Sequence, residues 1–327
     1  MTGSPGSHMA QIAANDFLVL GRAGMDLYAD PPGTPAEEAQ RFTSALGGSA
    51  ANIAAGIVKL GGAASLITTL SEDAVGRFVR RELVRYGVGT AHVHGAGGEA
   101  RTSLAVVETR LVECQSVIYR NGAADFALRA EHVASIDFSG HGALIVTGTA
   151  LAAEPSRAAA LLAIEMARAA RRPVILDIDY RPYSWSGSAE AARICGAAAR
   201  LSDLVVGNDV EFDVLAGGSG GLAHAQELAA SCRGVIYKMG EKGSIGFAGG
   251  ARFETPVFAV TALKPTGAGD AFMAGLVTGL AGGMALDAAV RRGTAAAAIT
   301  VTRVGCAPAS PTAAELADFI RHHSPVS

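Results

Sequence analysis

Between Lys264 and Leu280 the chain reads K-P-T-G-A-G-D-A-F-M-A-G-L-V-T-G-L, and residue types in that order can hold an anion. Pro265 interrupts any preceding regular element, Gly267 and Gly269 allow tight backbone turns, and the apolar run from Ala271 to Leu280 has helical spacing. A helix is therefore predicted to begin near Ala268. The first N–H groups of a helix have no intrahelical partner, and the helix dipole adds partial positive charge to them, so a phosphate is favoured there. Asp270 falls in the same turn. The dipole is expected to keep it ionised, as a weak but well-placed acceptor for a hydroxyl proton while that oxygen attacks phosphorus. An acidic residue that only complements the dipole would have the same sequence position.

Three further segments carry residue types that suit such chemistry. Leu46 to Gly61, L-G-G-S-A-A-N-I-A-A-G-I-V-K-L-G, is a Gly-Gly turn entering a helix. Gly47 and Gly48 let backbone approach a ligand closely, and the Asn52 amide can both donate to and accept from sugar hydroxyls or instead satisfy local backbone. Asn208 and Glu211 form N-x-x-E just after an apolar run, where a carboxylate can hold water around Mg²⁺ near nucleotide phosphates; a helix capping box has the same spacing. Tyr237 to Ser244, Y-K-M-G-E-K-G-S, is a strand running into a glycine turn that could line a nucleotide groove.

The elements that must position these residues alternate along the chain. Short apolar runs at Phe17–Leu20, Ser65–Thr69, Ala143–Thr147, Val174–Ile178, Leu204–Gly207 and Val235–Lys238 read as buried strands. Helical patterns lie between them at Ala50–Leu60, Val75–Tyr86, Ser156–Ala170, Ala189–Leu201 and Ala285–Thr302. Such alternation predicts an α/β sandwich: a mostly parallel sheet, helices on both faces, ligands at the carboxyl ends of the strands. Asp26 to Phe42 and Arg101 to Arg120 break the rhythm. The second alternates in a manner suited to exposed antiparallel strands, and together they predict a small β-sheet lid over the site, or an edge extension without gating.

Composition narrows the classes further. Of 327 residues half are hydrophobic and 17% are charged, which supports a large core. A formal net charge of -3 provides no basic field for nucleic acid or an anionic membrane. Met1 to Met9, containing G-S-H-M, resembles an expression scar and is set aside, leaving one domain over residues 10–327 with lid segments at about 26–42 and 101–125. No uncharged apolar run reaches bilayer-spanning length, and a cytoplasmic location is the default. Cys114, Cys195, Cys232 and Cys306 lie far apart without a C-x-x-C pair, so free thiols are expected in place of zinc or a disulfide framework.

The order and spacing of the four motif segments resemble the ribokinase-like, or PfkB, carbohydrate kinase family over essentially Phe17 to Phe319. The resemblance implies a three-layer α/β/α fold with a β lid and a kinase that uses ATP and Mg²⁺. It implies Asp270 as catalytic base and Gly267, Ala268 and Gly269 as an anion hole. Gly47, Gly48 and Asn52 would meet the sugar, as would Asp26, and Thr294 to Pro308 would flank adenine. Asn208, Lys238, Gly240, Gly243 and Lys264, with Gly267 and Gly269, would face ATP, while Asn208 and Glu211 would hold Mg²⁺ through water.

G-R-A-G-M-D-L-Y-A-D at Gly21–Asp30, I-Y-R-N-G-A-A-D at Ile118–Asp125, D-I-D-Y-R-P at Asp177–Pro182 and L-K-P-T-G-A-G-D look like the family branch that phosphorylates 5-dehydro-2-deoxygluconate in inositol breakdown. That substrate carries a carboxylate, which Arg120 and Arg181 could grip through paired hydrogen bonds, although each could instead pair with a nearby Asp. Tyr119 and Asp179 neighbour these arginines and complete the expected sugar site. Departures from the branch occur at Ala50-Ala51 and Asn121-Gly122, beside the expected sugar pocket. Many family members carry Asp where this chain has Lys264, six residues before Asp270, and there it helps a potassium site. The Lys264 ammonium is expected to supply that charge, so K⁺ is not required. The alternatives are a 2-keto-3-deoxygluconate kinase, a neutral-sugar kinase of ribokinase or fructokinase type, or a non-catalytic sugar sensor; a homodimer through the lid is open. A dinucleotide oxidoreductase is excluded, because the first strand lacks the glycine fingerprint and acidic ribose partner.

Overall fold

The computed structural model describes residues 12–112 and 114–326, so the tag-like Met1–Met9 lies outside the described residues. The first half contains β1 (Asp16–Leu20), β2 (Gly24–Asp30), β3 (Arg41–Gly47), α1 (Ser49–Lys59), β4 (Ala63–Ser71), α2 (Ala74–Arg85), β5 (Val93–Ala96), β6 (Ser103–Val107) and β7 (Ser116–Tyr119). The short helix α3 (Ala130–Ala134) leads to β8 (Ala143–Thr147), α4 (Ser156–Ala169), β9 (Val174–Asp177), α5 (Ser188–Arg200) and β10 (Leu204–Asn208). Next come α6 (Asp209–Leu215), α7 (Gly221–Leu228), β11 (Gly234–Lys238), β12 (Ser244–Ala248), β13 (Ala251–Thr255) and β14 (Val257–Phe258). The chain closes with α8 (Ala268–Ala281), α9 (Leu286–Val301), α10 (Ala313–His322) and β15 (Pro325–Val326).

Every residue of β8 and β9 is buried, and β1 is nearly so, which requires cover on both faces. Nine strands accordingly form one sheet in the order β13-β12-β11-β10-β9-β8-β1-β4-β5. All pairings from β11 to β5 are parallel, and β12 and β13 add an antiparallel margin. One apolar core joins the sheet to α1, α2, α8 and α9, and a second joins the other face to α4, α5, α6 and α7. The predicted α/β sandwich is present, with its predicted elements matched to within a residue or two.

The lid is a separate four-stranded sheet, β3-β2-β6-β7. As expected, the strands of the Arg101–Arg120 segment, β6 and β7, pair antiparallel; beyond expectation, β3 carries the lid to Gly47, and the two lid segments join through a parallel pairing of β2 with β6. The reason is the path of the chain. Between the two lid segments the chain runs through α1, β4, α2 and β5, and β5 is parallel to β1 through β4, so β6 leaves the same end of the main sheet as β2 and runs alongside it.

Candidate active site

Strand order reverses beside β1, where β4 lies on one side and β8 on the other, and such a reversal leaves a crevice at the carboxyl ends of the strands. A cavity of about 1040 Å³ opens there. It is walled by the strand ends of β9 to β11, the inner face of the lid, the start of α8, and an apolar side made by Thr294, Ala297, Ala298 and Val301 of α9. A smaller hollow of about 650 Å³ between α9, α10 and β13 contains none of the motif residues.

α8 starts as the glycines require. Gly267 has φ +84°, and a Cβ there would lie 2.9 Å from Cys306 Sγ, so both backbone conformation and space demand glycine. The amides of Gly267, Ala268, Gly269 and Asp270 have no acceptor among the described residues. Two cations flank them: Lys238 Nζ lies 3.5 Å from where a Gly269 Cβ would sit, and the fully buried Lys264 donates to the carbonyl of Thr266. Burial lowers the Lys264 pKa, opposed by the neighbouring Cys306, Asp270 and Asp26.

Asp270 projects from this turn and receives a 2.9 Å hydrogen bond from Asn52 Nδ2 at the head of α1. Asn52 therefore does not cap its helix; its buried Oδ1 has no partner among the described residues and is free for a ligand hydroxyl. The expectation that the dipole dominates Asp270 is corrected. Burial, then repulsion from Asp179, push its pKa up to about 7, against the Asn52 hydrogen bond, Arg181 and Lys238. The carboxylate still lines the open cavity. A base near 7 removes a hydroxyl proton far more effectively than an ordinary carboxylate.

Asp26 on β2 faces the cavity from the lid, accepts a 3.0 Å hydrogen bond from Tyr28, and is raised to about 6 by burial, with Arg22 and Tyr28 opposing. Gly47 does not line the cavity. A Cβ on it would sit 1.9 Å from Asp26 Oδ1, so it makes room for that carboxylate, while Gly48, at φ +92°, reaches the cavity wall.

Asp177, Asp179, Glu211 and Asp270 share one wall of the cavity with two cationic side chains, Lys238 and Arg181. Burial and mutual repulsion hold Asp177 well above the usual carboxylate range and raise Glu211 as well. This excess of carboxylate suits a divalent cation. Asn208 and Glu211 do form a capping box, at 2.9 and 2.8 Å, and the second Glu211 oxygen accepts from Tyr180 N at 3.2 Å. They also line the cavity, and no group of three or more metal-type side chains is placed to hold an ion directly among the described residues.

Residues 14–313 match the pfkB family carbohydrate kinases. The chain belongs to that family. It is 42% identical over 312 residues to a 5-dehydro-2-deoxygluconokinase of Photobacterium profundum, covering 93% of this chain and 94% of the relative. To the Bacillus subtilis protein of that name it is 34% identical over 322 residues, covering 95% and 97%. A fructokinase from Xylella fastidiosa solved with bound ATP superposes with TM-score 0.83 at 26% identity, over 94% of this chain and 98% of that one. A Vibrio cholerae fructokinase with fructose, ADP and potassium ion superposes with TM-score 0.83 at 26% identity, over 95% and 99%.

In this kinase the cavity gathers Asp26, Gly48, Asn52, Asp179, Arg181, Asn208, Glu211, Lys238, Gly240, Gly243, Lys264 and the Gly267–Asp270 turn. Tyr119 and Arg120 are not among its lining residues, which corrects the expected sugar site. Strand alternation turns Ile118 inward and Tyr119 outward, where it is 61% exposed. Arg120 is buried behind the wall with its charge matched: it pairs with Asp125, donates to Ser184 Oγ at 3.1 Å and Thr149 O at 2.9 Å, and lies over Phe126. Arg181 does reach the cavity, paired to Asp179 at 2.8 Å. Sequence reasoning missed Arg22, Asp177, Tyr183 and Cys306, all on the cavity wall. Arg22 and Asp177 stood inside the quoted motifs G-R-A-G-M-D and D-I-D-Y-R-P, at strand ends, a position that could have singled them out.

Proposed function

We propose that this kinase transfers the γ-phosphoryl group of ATP to the terminal hydroxyl of an acid sugar, 5-dehydro-2-deoxygluconate. The observation that carries the reading is the convergence, in one cavity, of Asp270 held by Asn52 and the open amides at the start of α8. Asp270 takes the hydroxyl proton as that oxygen attacks phosphorus. The amides of Gly267, Ala268 and Gly269 stabilise the charge on the transferred group, with Lys238 beside them. Asn208, Gly240, Gly243 and the α9 residues Thr294 to Val301 line the ATP end, and Asp26, Gly48, Asn52, Asp179 and Arg181 line the sugar end. Mg²⁺, held through water by Asn208 and Glu211, would neutralise phosphate charge when bound. The Lys264 ammonium stands beside the Thr266 carbonyl and supplies a fixed cation, so K⁺ is not needed. Closure of the lid keeps water from competing with the sugar.

Supporting the substrate are the two curated relatives at 42% and 34% identity, whose names carry it. On that basis the protein acts in inositol catabolism in the cytoplasm. Among the described residues no helix is long and apolar enough to cross a membrane. The outer lid face exposes Phe42, Val117 and Tyr119, which suits a lid-to-lid homodimer that size-exclusion with light scattering would detect. The deciding experiment couples ADP release to turnover with 5-dehydro-2-deoxygluconate, 2-keto-3-deoxygluconate, ribose, fructose and adenosine. The first gives the highest kcat/KM; preference for a neutral sugar refutes the acid-sugar reading, and absence of turnover with all five leaves only a binding protein.

A further inference from the structure

Arg22 lies two residues beyond the end of β1, at the point where strand order reverses, and lines the cavity while remaining only 7% exposed. Its charge is handled differently from the other arginines of this region. Arg120 is matched by Asp125 and Arg181 by Asp179. Among the described residues Arg22 has one side-chain hydrogen bond, 2.9 Å from Nη1 to Ser103 Oγ, and no carboxylate within ion-pair distance. A guanidinium carries five N–H donors in a rigid fork; the nearby Asp26 carboxylate feels its charge from beyond ion-pair distance, and a buried fork left without acceptors is costly. Most of that fork has no protein acceptor.

The position of the guanidinium is built, not incidental. A Cβ on Gly24 would lie 2.9 Å from Arg22 Nη1 and 2.7 Å from Ser103 Oγ, so glycine there clears the space that the guanidinium and its anchor occupy. Ser103 is itself buried in the lid strand β6. On the other side, the Arg22 carbonyl accepts from Ala51 N at 3.4 Å, in the first turn of α1, and the next residue, Asn52, holds Asp270 at 2.9 Å. Arg22 is thus referenced to the base through one helix turn and to the lid through Ser103. The Tyr183 hydroxyl, also on the cavity wall, is influenced by both Arg22 and Arg181.

We propose that Arg22 reads the carboxylate of the sugar acid, its fork donating to the two carboxylate oxygens while Asp270 meets the hydroxyl at the far end of the same molecule. The proposal rests on the acid-sugar reading above and names the residue that makes the choice. It also gives the lid a role in specificity, since Ser103 aligns the fork.

The test compares 5-dehydro-2-deoxygluconate with its carboxamide, which keeps the shape and removes the charge. Wild-type enzyme prefers the acid. Arg22→Gln lowers kcat/KM for the acid on the order of 10- to 150-fold, the scale of a lost charged hydrogen bond, and leaves the amide within roughly threefold, so the preference collapses. Arg22→Lys restores part of it, as a point charge without the fork. Ser103→Ala, which keeps the arginine but removes the hydroxyl that anchors its fork, gives a smaller loss of the same selective kind and stands as an independent reading should Arg22→Gln misfold. Equal losses on acid and amide, or an unchanged ratio in both variants, overturn the assignment of Arg22 and leave the acid-sugar reading in place. Wild-type enzyme that does not favour the acid overturns both.

Discussion

Replacing Asp270 with Asn separates catalysis from stability, because the two respond in opposite directions. The variant keeps the shape and an oxygen to accept the 2.9 Å hydrogen bond from Asn52. It cannot take a proton, and loss of a general base lowers kcat by roughly 10² to 10⁴-fold with little change in KM. Stability follows from the pKa, raised from 3.8 to about 7 chiefly by burial and by Asp179. The folded protein therefore binds a proton that the unfolded chain releases between these values, and the contribution of this group to stability falls as pH rises through that window. Ionising the wild-type carboxyl above the window costs at most ~4 kcal/mol, and less in practice because the carboxylate faces the open cavity. Asp270→Asn has no such cost, so its melting temperature matches wild type near about pH 4 and exceeds it by several degrees near about pH 8. ADP-coupled kinetics and thermal melts at the two pH values measure both effects. The acidic limb of wild-type kcat/KM should fall near 7, the value for the free enzyme. Turnover of the Asn variant within about tenfold of wild type, which is less than the smallest loss of a general base, refutes the catalytic assignment. A melting difference that does not grow with pH refutes the electrostatic reasoning.

Other substitutions probe the parts separately. Gly267→Ala meets Cys306 Sγ at 2.9 Å at a residue whose φ is +84°, so it displaces the anion hole and lowers kcat severely while ATP binding, read by fluorescence titration, weakens less. Wild-type activity is unchanged by added K⁺; Lys264→Ala, which empties a fully buried cation position beside the Thr266 carbonyl, loses activity that K⁺ partly restores, and saturable K⁺ activation of the wild type counts against this role. Arg120→Ala leaves Asp125 buried without its partner and costs about 3 to 5 kcal/mol in denaturant unfolding, whereas a pure rise in substrate KM at unchanged stability would return Arg120 to the sugar site.

Much of this kinase could be read locally. A helix start after Pro265 with glycines at 267 and 269, a Gly-Gly turn before Asn52, and strands such as Ala143–Thr147 are set by conformational freedom and hydrophobic period within a few residues of chain. That is why the sheet, the glycine turn at the start of α8 and the place of Asp270 in that helix's first turn are legible from the sequence. What depended on distant parts of the chain was not legible. Arg120 and Arg22 are the same residue type at strand ends, but Asp125 lies under one and a space cleared by Gly24 lies beside the other. The basicity of Asp270 likewise comes from burial and from Asp179 and Asn52, brought there by β9 and α1. Backbone geometry is a property of a segment, so the sequence alone determines it; charge balance is a property of everything that surrounds a group, and only the folded chain decides it.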